Sequence, residues 1–222
     1  MALHRRVLVD HIVIVSLDID DTCRRLFDAT GLASIAGGVH DGLGTVNRIV
    51  PLGTGYLEIL GVDDGTLAAH NPFGQLALAG AAAARNSGRC EQLAAWSACV
   101  VSIESAAAAT AGDVMTLSRA GVRVRLTGVA QATADPSLPF LLQRAEADAS
   151  PGSRDADHRA KPKGVVRMVA SSPTLNRWAE LLPAGDTEFE VSTGAAALLA
   201  VDIALADGSL ARLTSQSPTG EA

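Results

Sequence analysis

Aromatic residues are scarce in this sequence, which limits the kinds of core it can build. Phe, Trp and Tyr make up only 3% of the 222 residues, so the core must consist mainly of Val, Leu, Ile and Ala. Hydrophobic residues still reach 48% and charged residues only 19%. A chain of this composition buries a sizeable core, which excludes disorder over its whole length. The length corresponds to one domain or to two small fused modules.

Positive charge and cysteine are also limited. Lys and Arg number 18 against 24 Asp and Glu, giving a net charge of −6. Such a chain is poorly suited to a phosphate backbone, so we expect no nucleic-acid partner. The three cysteines, Cys23, Cys90 and Cys99, form no C-x-x-C motif. This pattern excludes zinc ribbons and thioredoxin-type chemistry, and it is typical of thiols in a reducing compartment.

Long apolar runs are missing as well. No stretch of about 20 apolar residues occurs, so the sequence predicts no membrane partner and no membrane span. The apolar residues that follow Arg5 and Arg6 are interrupted by Asp10 and His11. They therefore lack the apolar core of a signal peptide, and no small-residue cleavage site follows. We expect a cytoplasmic protein.

An order of strand, helix and further strands recurs along the chain. It occupies residues 7–62, returns in 94–145 and is repeated more loosely in 164–214. The first pass opens with a β-branched strand over 7–17, followed by a helix that is capped by Asp18. Repetition of one supersecondary unit indicates internal duplication.

The segments between and after these units are distinct in composition. In the second unit, the alanine-rich stretch 104–120 predicts a helix. Residues 71–88 predict a further helix, which joins the first two units. Residues 146–163 form a polar loop, and 215–222 read as a disordered tail.

Four segments carry a recognisable pattern, namely residues 10–13 (DHIV), 37–49 (GGVHDGLGTVNRI), 55–62 (GYLEILGV) and 138–143 (LPFLLQ). This pattern resembles the glyoxalase-like branch of the vicinal oxygen chelate superfamily. The resemblance covers residues 7–145 well and 158–214 loosely. It implies an α+β fold, in which repeated βαβββ modules pair and curl a mixed sheet around a central cavity, with helices on the outside. It also implies a divalent metal in that cavity, bound by the first and last strands of each module.

Transferred residue by residue, the resemblance gives a partial metal site. His11 matches the first-strand ligand and Glu58 the last-strand ligand of module one. In module two, Ser97 stands in place of His11, and Gln143 stands in place of Glu58. The implied ligands are therefore His11, Glu58 and Gln143 around one ion of Zn, Mn, Fe, Ni or Mg. Module two departs from the four-ligand pattern, since serine is a weak ligand.

The residues themselves point to the same pair. His11 and Glu58 are each the polar exception on an otherwise apolar strand face. A buried carboxylate needs a metal, a cation, a hydrogen-bond partner or a raised pKa. Glu58 is therefore the candidate catalytic group, and a metal-bound water is the other candidate for the base. The alternative is a neutral His11 that is hydrogen-bonded to Glu58 without a metal.

Further polar residues are candidates for substrate binding. His40 and Asn47 flank a glycine-rich turn, where they either line the cavity or satisfy local backbone groups. Gln143 is a possible oxygen donor, whereas strand alternation directs its neighbour Arg144 to the opposite face. His158 lies in the polar loop, as a lid residue, a third ligand or a solvated side chain.

These residues predict a metal-dependent enzyme of isomerase or lyase type, acting on a small substrate with neighbouring oxygens. Dioxygenase chemistry ranks lower, because a two-His-one-carboxylate iron site needs another histidine. The alternative is a non-catalytic protein that binds or sequesters a small molecule. The low aromatic content counts against it, because such pockets usually have aromatic walls. Both a monomer and a homodimer fit the sequence.

Overall fold

The computed structural model of the protein describes residues 3–119, 122–144, 150–173 and 182–215. The strands are β1 (Leu3–Val7), β2 (His11–Ser16), β3 (Ile35–His40), β4 (Thr45–Pro51), β5 (Tyr56–Val62), β6 (Glu91–Cys99), β7 (Met115–Arg119), β8 (Val122–Thr127), β9 (Phe140–Arg144), β10 (Pro162–Ser172), β11 (Thr187–Thr193), β12 (Ala197–Leu205) and β13 (Leu210–Thr214). The helices are α1 (Ile19–Thr30), α2 (Gly65–Ala69), α3 (Pro72–Asn86), α4 (Ile103–Thr110) and α5 (Val129–Ala134).

The first sheet contains eight strands in the order β3-β4-β5-β2-β6-β9-β8-β7. One half consists of β2 to β5 and the other of β6 to β9, and the two halves meet where β2 lies antiparallel to β6. The outer edges also approach each other, because the Asp41 amide donates to the Ser118 carbonyl at 3.2 Å and the Ser118 hydroxyl donates to the Asp41 carboxylate at 2.8 Å. The sheet is therefore curved, nearly barrel-shaped, and the fold is α+β as expected.

Local sequence features place α1 beside this sheet. The Asp18 side chain accepts a hydrogen bond from the Asp21 amide, and Gly31 ends the helix in the left-handed conformation with φ 75°. Cys23 and Leu26 are buried on one face of the helix. This face packs on the outer surface of the sheet, in a core shared with Ile12.

Helix α3 packs against the opposite, inner surface. Its buried Phe73 and Leu76 share a core with Val13 of β2 and Phe140 of β9. The inner surface thus divides into a closed apolar part under α3 and the part that forms the cavity described below.

A second sheet, in the order β1-β11-β10-β12-β13, covers part of the outer surface of the first. Trp96 of β6 contacts Phe189 of β11, with ring centroids 5.0 Å apart. Met168 of β10 and Val201 of β12 belong to the same outer core. Where the structure describes it, the third unit therefore lies outside the curved sheet and supplies none of its eight strands.

Two predicted elements differ from the structure. The helix expected over 104–120 ends at Thr110, because Ala111 adopts a left-handed conformation with φ 50°. Met115–Arg119 then forms β7, which pairs with β8. Long-range pairing overrides the helix preference of the alanine-rich stretch. Residues 7–17 do not form one continuous strand. Val7 ends β1, which pairs in the second sheet, and β2 begins at His11 in the first sheet.

Two parts of the chain for which the sequence made predictions lie outside the described residues, namely 174–181, within the looser repeat over 164–214, and the tail after Ser215. Across the described ranges, no helix combines the length and apolar character that crossing a membrane requires.

Candidate functional site

A cavity of about 150 Å³ opens on the inner surface of the curved sheet. Its polar lining consists of His11, His40, Asn47, Tyr56, Glu58, Arg144 and Arg154. Its apolar lining consists of Ile49, Phe73, Leu117, Val124, Leu126, Phe140, Leu142 and Pro151. The structure thus brings four of the predicted site residues, His11, His40, Asn47 and Glu58, into one cavity.

Strand register explains how the two central residues meet. The strands β2 and β5 are parallel, with His11 beside Tyr56. Side chains two residues apart on a strand share a face, so Glu58 follows Tyr56 into the cavity. The rings of His11 and Tyr56 stack, with centroids 4.6 Å apart.

Glu58 is buried between two imidazoles. Its side chain lies 3.5 Å from Nε2 of His11 through Oε2, and 3.6 Å from Nε2 of His40 through Oε1. The Asn47 amide also donates a hydrogen bond to Oε1. Burial alone would raise the pKa of Glu58, but the hydrogen bond and charge of His11 outweigh it and lower the pKa to about 2. The carboxylate is therefore ionised.

His11 is held from its other side by Asp10. Its Nδ1 donates to the Asp10 carboxylate at 2.7 Å. That carboxylate accepts two further hydrogen bonds from Arg144, at 2.7 and 3.2 Å. Burial would lower the pKa of His11, yet the adjacent Asp10 and Glu58 raise it above its ordinary value. The site is a row of alternating charges, from Glu58 through His11 and Asp10 to Arg144.

His40 and Asn47 form a hydrogen-bonded support for Glu58. The backbone amide of Gly38 donates to Asn47 Oδ1 at 3.2 Å, which directs the Asn47 NH₂ group toward Glu58 and His40. Because this NH₂ group can only donate, Nε2 of His40 accepts, and Nδ1 donates to the Thr45 hydroxyl at 2.8 Å. His40 thereby adopts one tautomer.

The structure does not bring Gln143 into the cavity, and it reverses the expectation for Arg144. Phe140 of β9 pairs with Ser97 of β6, so Phe140, Leu142 and Arg144 face inward. Gln143 points to the other face, where its amide donates to the Val101 carbonyl at 2.7 Å. The prediction for Gln143 aligned Leu57-Glu58 with Leu142-Gln143, which is wrong by one residue along β9. A one-residue shift exchanges the side chains that face the cavity with those that face away from it.

The polar loop contributes to the cavity through residues other than His158. Nδ1 of His158 accepts a hydrogen bond from the Ala33 amide at 2.9 Å, and His158 does not line the cavity. Pro151 and Arg154 of the same loop do line it. Sequence reasoning missed Asp10, Arg144 and Arg154. Of these, Arg144 could have been found from the sequence by aligning Tyr56 with Phe140. Residues two and four positions after Phe140 share its face of the strand, so Arg144 then faces the cavity.

The donor set does not fit a divalent metal. Catalytic zinc sites usually supply about three protein ligands. Here only Glu58 and, after loss of its proton, His11 Nε2 converge as donors, since Nε2 of His40 already accepts from Asn47 and Gln143 faces away. Within the described ranges, no group of three or more His, Cys, Asp or Glu side chains could hold a metal ion. The set His11, Glu58 and Gln143 is thus not assembled, although a divalent metal is common in the superfamily.

Comparison with known proteins gives the fold and the family. A hypothetical protein from Staphylococcus aureus superposes with a TM-score of 0.60 at 15% identity, covering 95% of this chain and 98% of its own. Methylmalonyl-CoA epimerase from Mycobacterium tuberculosis gives 0.43 at 14% identity, covering 64% and 91%. The Streptomyces coelicolor epimerase, in complex with 2-nitronate-propionyl-CoA, gives 0.43 at 16% identity, covering 65% and 99%. No curated protein matches the sequence.

At 15% identity, the match to the Staphylococcus aureus protein bears on the fold alone. The match to a protein family covers most of the chain. Residues 9–185 match the glyoxalase-like domain. This span includes the curved sheet, the cavity and the loop that carries Arg154. The chain therefore belongs to the glyoxalase-like domain family, within the vicinal oxygen chelate superfamily.

Proposed function

We propose that the protein is an isomerase-type enzyme that moves a proton on a small carbonyl compound. The observation that carries this proposal is the ionised Glu58 beside the proton-bearing His11, at the floor of a small cavity with apolar walls. A base and an acid on adjacent side chains are the groups that enolisation requires. The apolar walls exclude water and strengthen both interactions.

In the proposed reaction, Glu58 accepts the proton of a carbon next to the carbonyl group. The electron pair of the broken C–H bond forms a C=C bond, and the carbonyl oxygen takes a proton from Nε2 of His11. Asp10 holds His11 by Nδ1 and stabilises its charged form. Transfer of the enol proton back to His11 and return of a proton to the same carbon complete an epimerisation. Where that carbon carries a hydroxyl group, loss of the hydroxyl proton and protonation of the neighbouring carbon complete an isomerisation instead.

The low pKa of Glu58 also fits this sequence of events. In the free protein the adjacent His11 keeps the pKa near 2, which makes the carboxylate a weak base. When a substrate oxygen accepts the hydrogen bond from His11, the interaction between His11 and Glu58 becomes weaker. The pKa of Glu58 then rises toward its ordinary value, and the carboxylate becomes a better base when substrate is bound.

This proposal replaces the metal-dependent form of the hypothesis, because the donor set supplies two ligands where three are usual. In its place, His11 and its partner Asp10 supply the stabilisation of the developing oxyanion. The step therefore relies only on Glu58, His11 and Asp10, and the contacts among these side chains support the proposal.

Proton exchange tests the proposal. Dihydroxyacetone and 2-oxobutanoate are incubated with the protein in D₂O, and the C–H signals next to the carbonyl are followed by ¹H NMR. We expect their loss with the parent protein and not with Glu58→Gln. Exchange at equal rates with both proteins would contradict the proposal.

A second candidate is a non-catalytic binding protein. The sequence has two Trp, one Tyr and four Phe, and three of these seven residues, Tyr56, Phe73 and Phe140, line the cavity. The scarce aromatic side chains are thus concentrated where a binding pocket needs them. Binding of either compound without exchange would favour this function.

A further inference from the structure

The side chain of Arg154 brings to the cavity a positive charge that the buried charged groups around His11 and Glu58 do not neutralise. The charged groups of the floor form pairs, Glu58 with His11 and Asp10 with Arg144. Arg154 also lines the cavity and is exposed, which places it at the opening. Its side chain has no hydrogen-bond or ion-pair partner among the described residues. An unmatched cation at the opening of an apolar cavity attracts anions.

The loop that carries Arg154 is fixed to module one. The Gly53 amide donates to the Gly152 carbonyl at 2.9 Å, and the Arg154 amide donates to Pro151 at 3.3 Å. Gly152 lies so close to the β4–β5 turn that a Cβ atom on it would stand 2.1 Å from the Gly55 carbonyl oxygen. The backbone of Arg154 is therefore held beside the opening.

The size and chemistry of the cavity define the anion. Arg presents paired N–H groups that match the two oxygens of a carboxylate. A cavity of about 150 Å³ has room for a molecule about the size of benzene, which suits a ligand of about six to eight non-hydrogen atoms. Leu117, Leu126 and Leu142 line the wall and suit a short hydrocarbon segment.

We propose that the substrate is a small oxo acid, whose carboxylate is bound by Arg154 at the opening while its carbonyl group lies at His11. This inference names the substrate class of the proposed function, and it rests on that function for the roles of His11 and Glu58. Arg144 does not serve as this anchor, because Asp10 already occupies its guanidinium group with two hydrogen bonds.

Binding measurements test the role of Arg154. The probes are 2-oxobutanoate and 4-oxopentanoate, each compared with its uncharged methyl ester, and dissociation constants are measured by NMR titration. The proteins are the parent, Arg154→Gln and the control Arg123→Gln. Arg123 has the same charge but precedes the cavity-lining Val124 on β8, so it points to the opposite face.

We expect at least one acid to bind the parent about tenfold more tightly than its ester, because hydrogen bonds to charged groups are the stronger class. Arg154→Gln should reduce the affinity for the acid to that for the ester, whereas Arg123→Gln should leave both unchanged. An acid affinity within about twofold of the parent value in Arg154→Gln would overturn the inference, as would failure of both acids to bind the parent.

The exchange experiment distinguishes the two proposals. Exchange that depends on Glu58, together with acid binding that does not depend on Arg154, overturns the assignment of Arg154 as the carboxylate anchor and leaves the proposed reaction standing. Acid binding through Arg154 without exchange overturns the proposed reaction and leaves carboxylate recognition at Arg154 standing.

Discussion

Replacing Glu58 with Gln keeps the shape of the side chain but removes its charge, and we expect this change to flatten the acid side of the stability profile. A carboxylate with a lowered pKa stabilises the folded state above the pKa that it has when unfolded. This stabilisation is lost as the pH falls through the folded value. For Glu58 the window runs from the ordinary pKa of 4.5 down to about 2.

The magnitude follows from the shift. Each unit of pKa difference corresponds to about 1.4 kcal/mol, so the ionised Glu58 contributes about 3 kcal/mol at neutral pH. Partial protonation removes about 2 kcal/mol of this between about pH 6 and about pH 3. We therefore expect the free energy of unfolding to fall by about 2 kcal/mol more in the parent than in Glu58→Gln over this range.

Urea unfolding, followed by circular dichroism at the two pH values, measures this difference. The control is Asp157→Asn, which removes an exposed carboxylate of the polar loop and should follow the parent. An identical loss of stability in the parent and in Glu58→Gln would show that the buried carboxylate is not held in its ionised form. The charge arrangement of the site would then be refuted.

Four further outcomes follow from the same contacts. Arg144→Leu leaves the buried Asp10 with one cationic neighbour, His11, instead of two, so the free energy of unfolding should fall by about 3 kcal/mol in urea titrations. A loss no larger than that of a surface variant would contradict this pairing. Asn47→Ala removes a donor from a buried carboxylate and should cost about 1–3 kcal/mol in the same assay. Gly152→Ala forces the loop away from the turn and should expose it to limited proteolysis, whereas Gly65→Ala, with open space around it, should not. Mn²⁺ or Zn²⁺ should leave the Tm of EDTA-treated protein unchanged, whereas a bound ion at 100 times its Kd would add about 2.7 kcal/mol.

The sequence predicted the centre of the site because burial leaves a recognisable pattern. His11 and Glu58 interrupt apolar strand faces, and the structure places them 3.5 Å apart on neighbouring strands. His40 and Asn47 also lie in the cavity, within the glycine-rich pattern that carried the family resemblance. Local patterns of this kind are set within a single module.

The second half of the cavity was not predictable in the same way. The first three residues of β9 are buried, so hydrophobic alternation does not fix which face Phe140 and Leu142 occupy. Phe140 and Leu142 face the cavity because Phe140 pairs with Ser97, which lies more than forty residues earlier in the chain. That pairing also fixes the inward direction of Arg144.

The position of Arg154 in the cavity was even harder to predict from the sequence. It lies in a polar loop, where one arginine among several charged residues carries no periodic pattern. Its position depends on the packing of Gly152 against Gly55, a contact between distant parts of the chain. Contacts of this kind emerge only from the folded structure.

Proton exchange at C3 of 2-oxobutanoate, measured by ¹H NMR in D₂O with EDTA present, decides whether Glu58 acts as a base without a metal. Parent protein, Glu58→Gln and Asp157→Asn are compared at equal concentration. We predict that the C3 signal disappears with the parent and with Asp157→Asn at the same rate, and persists with Glu58→Gln. Equal rates with all three proteins, or exchange that stops when EDTA is added, would contradict the proposed chemistry.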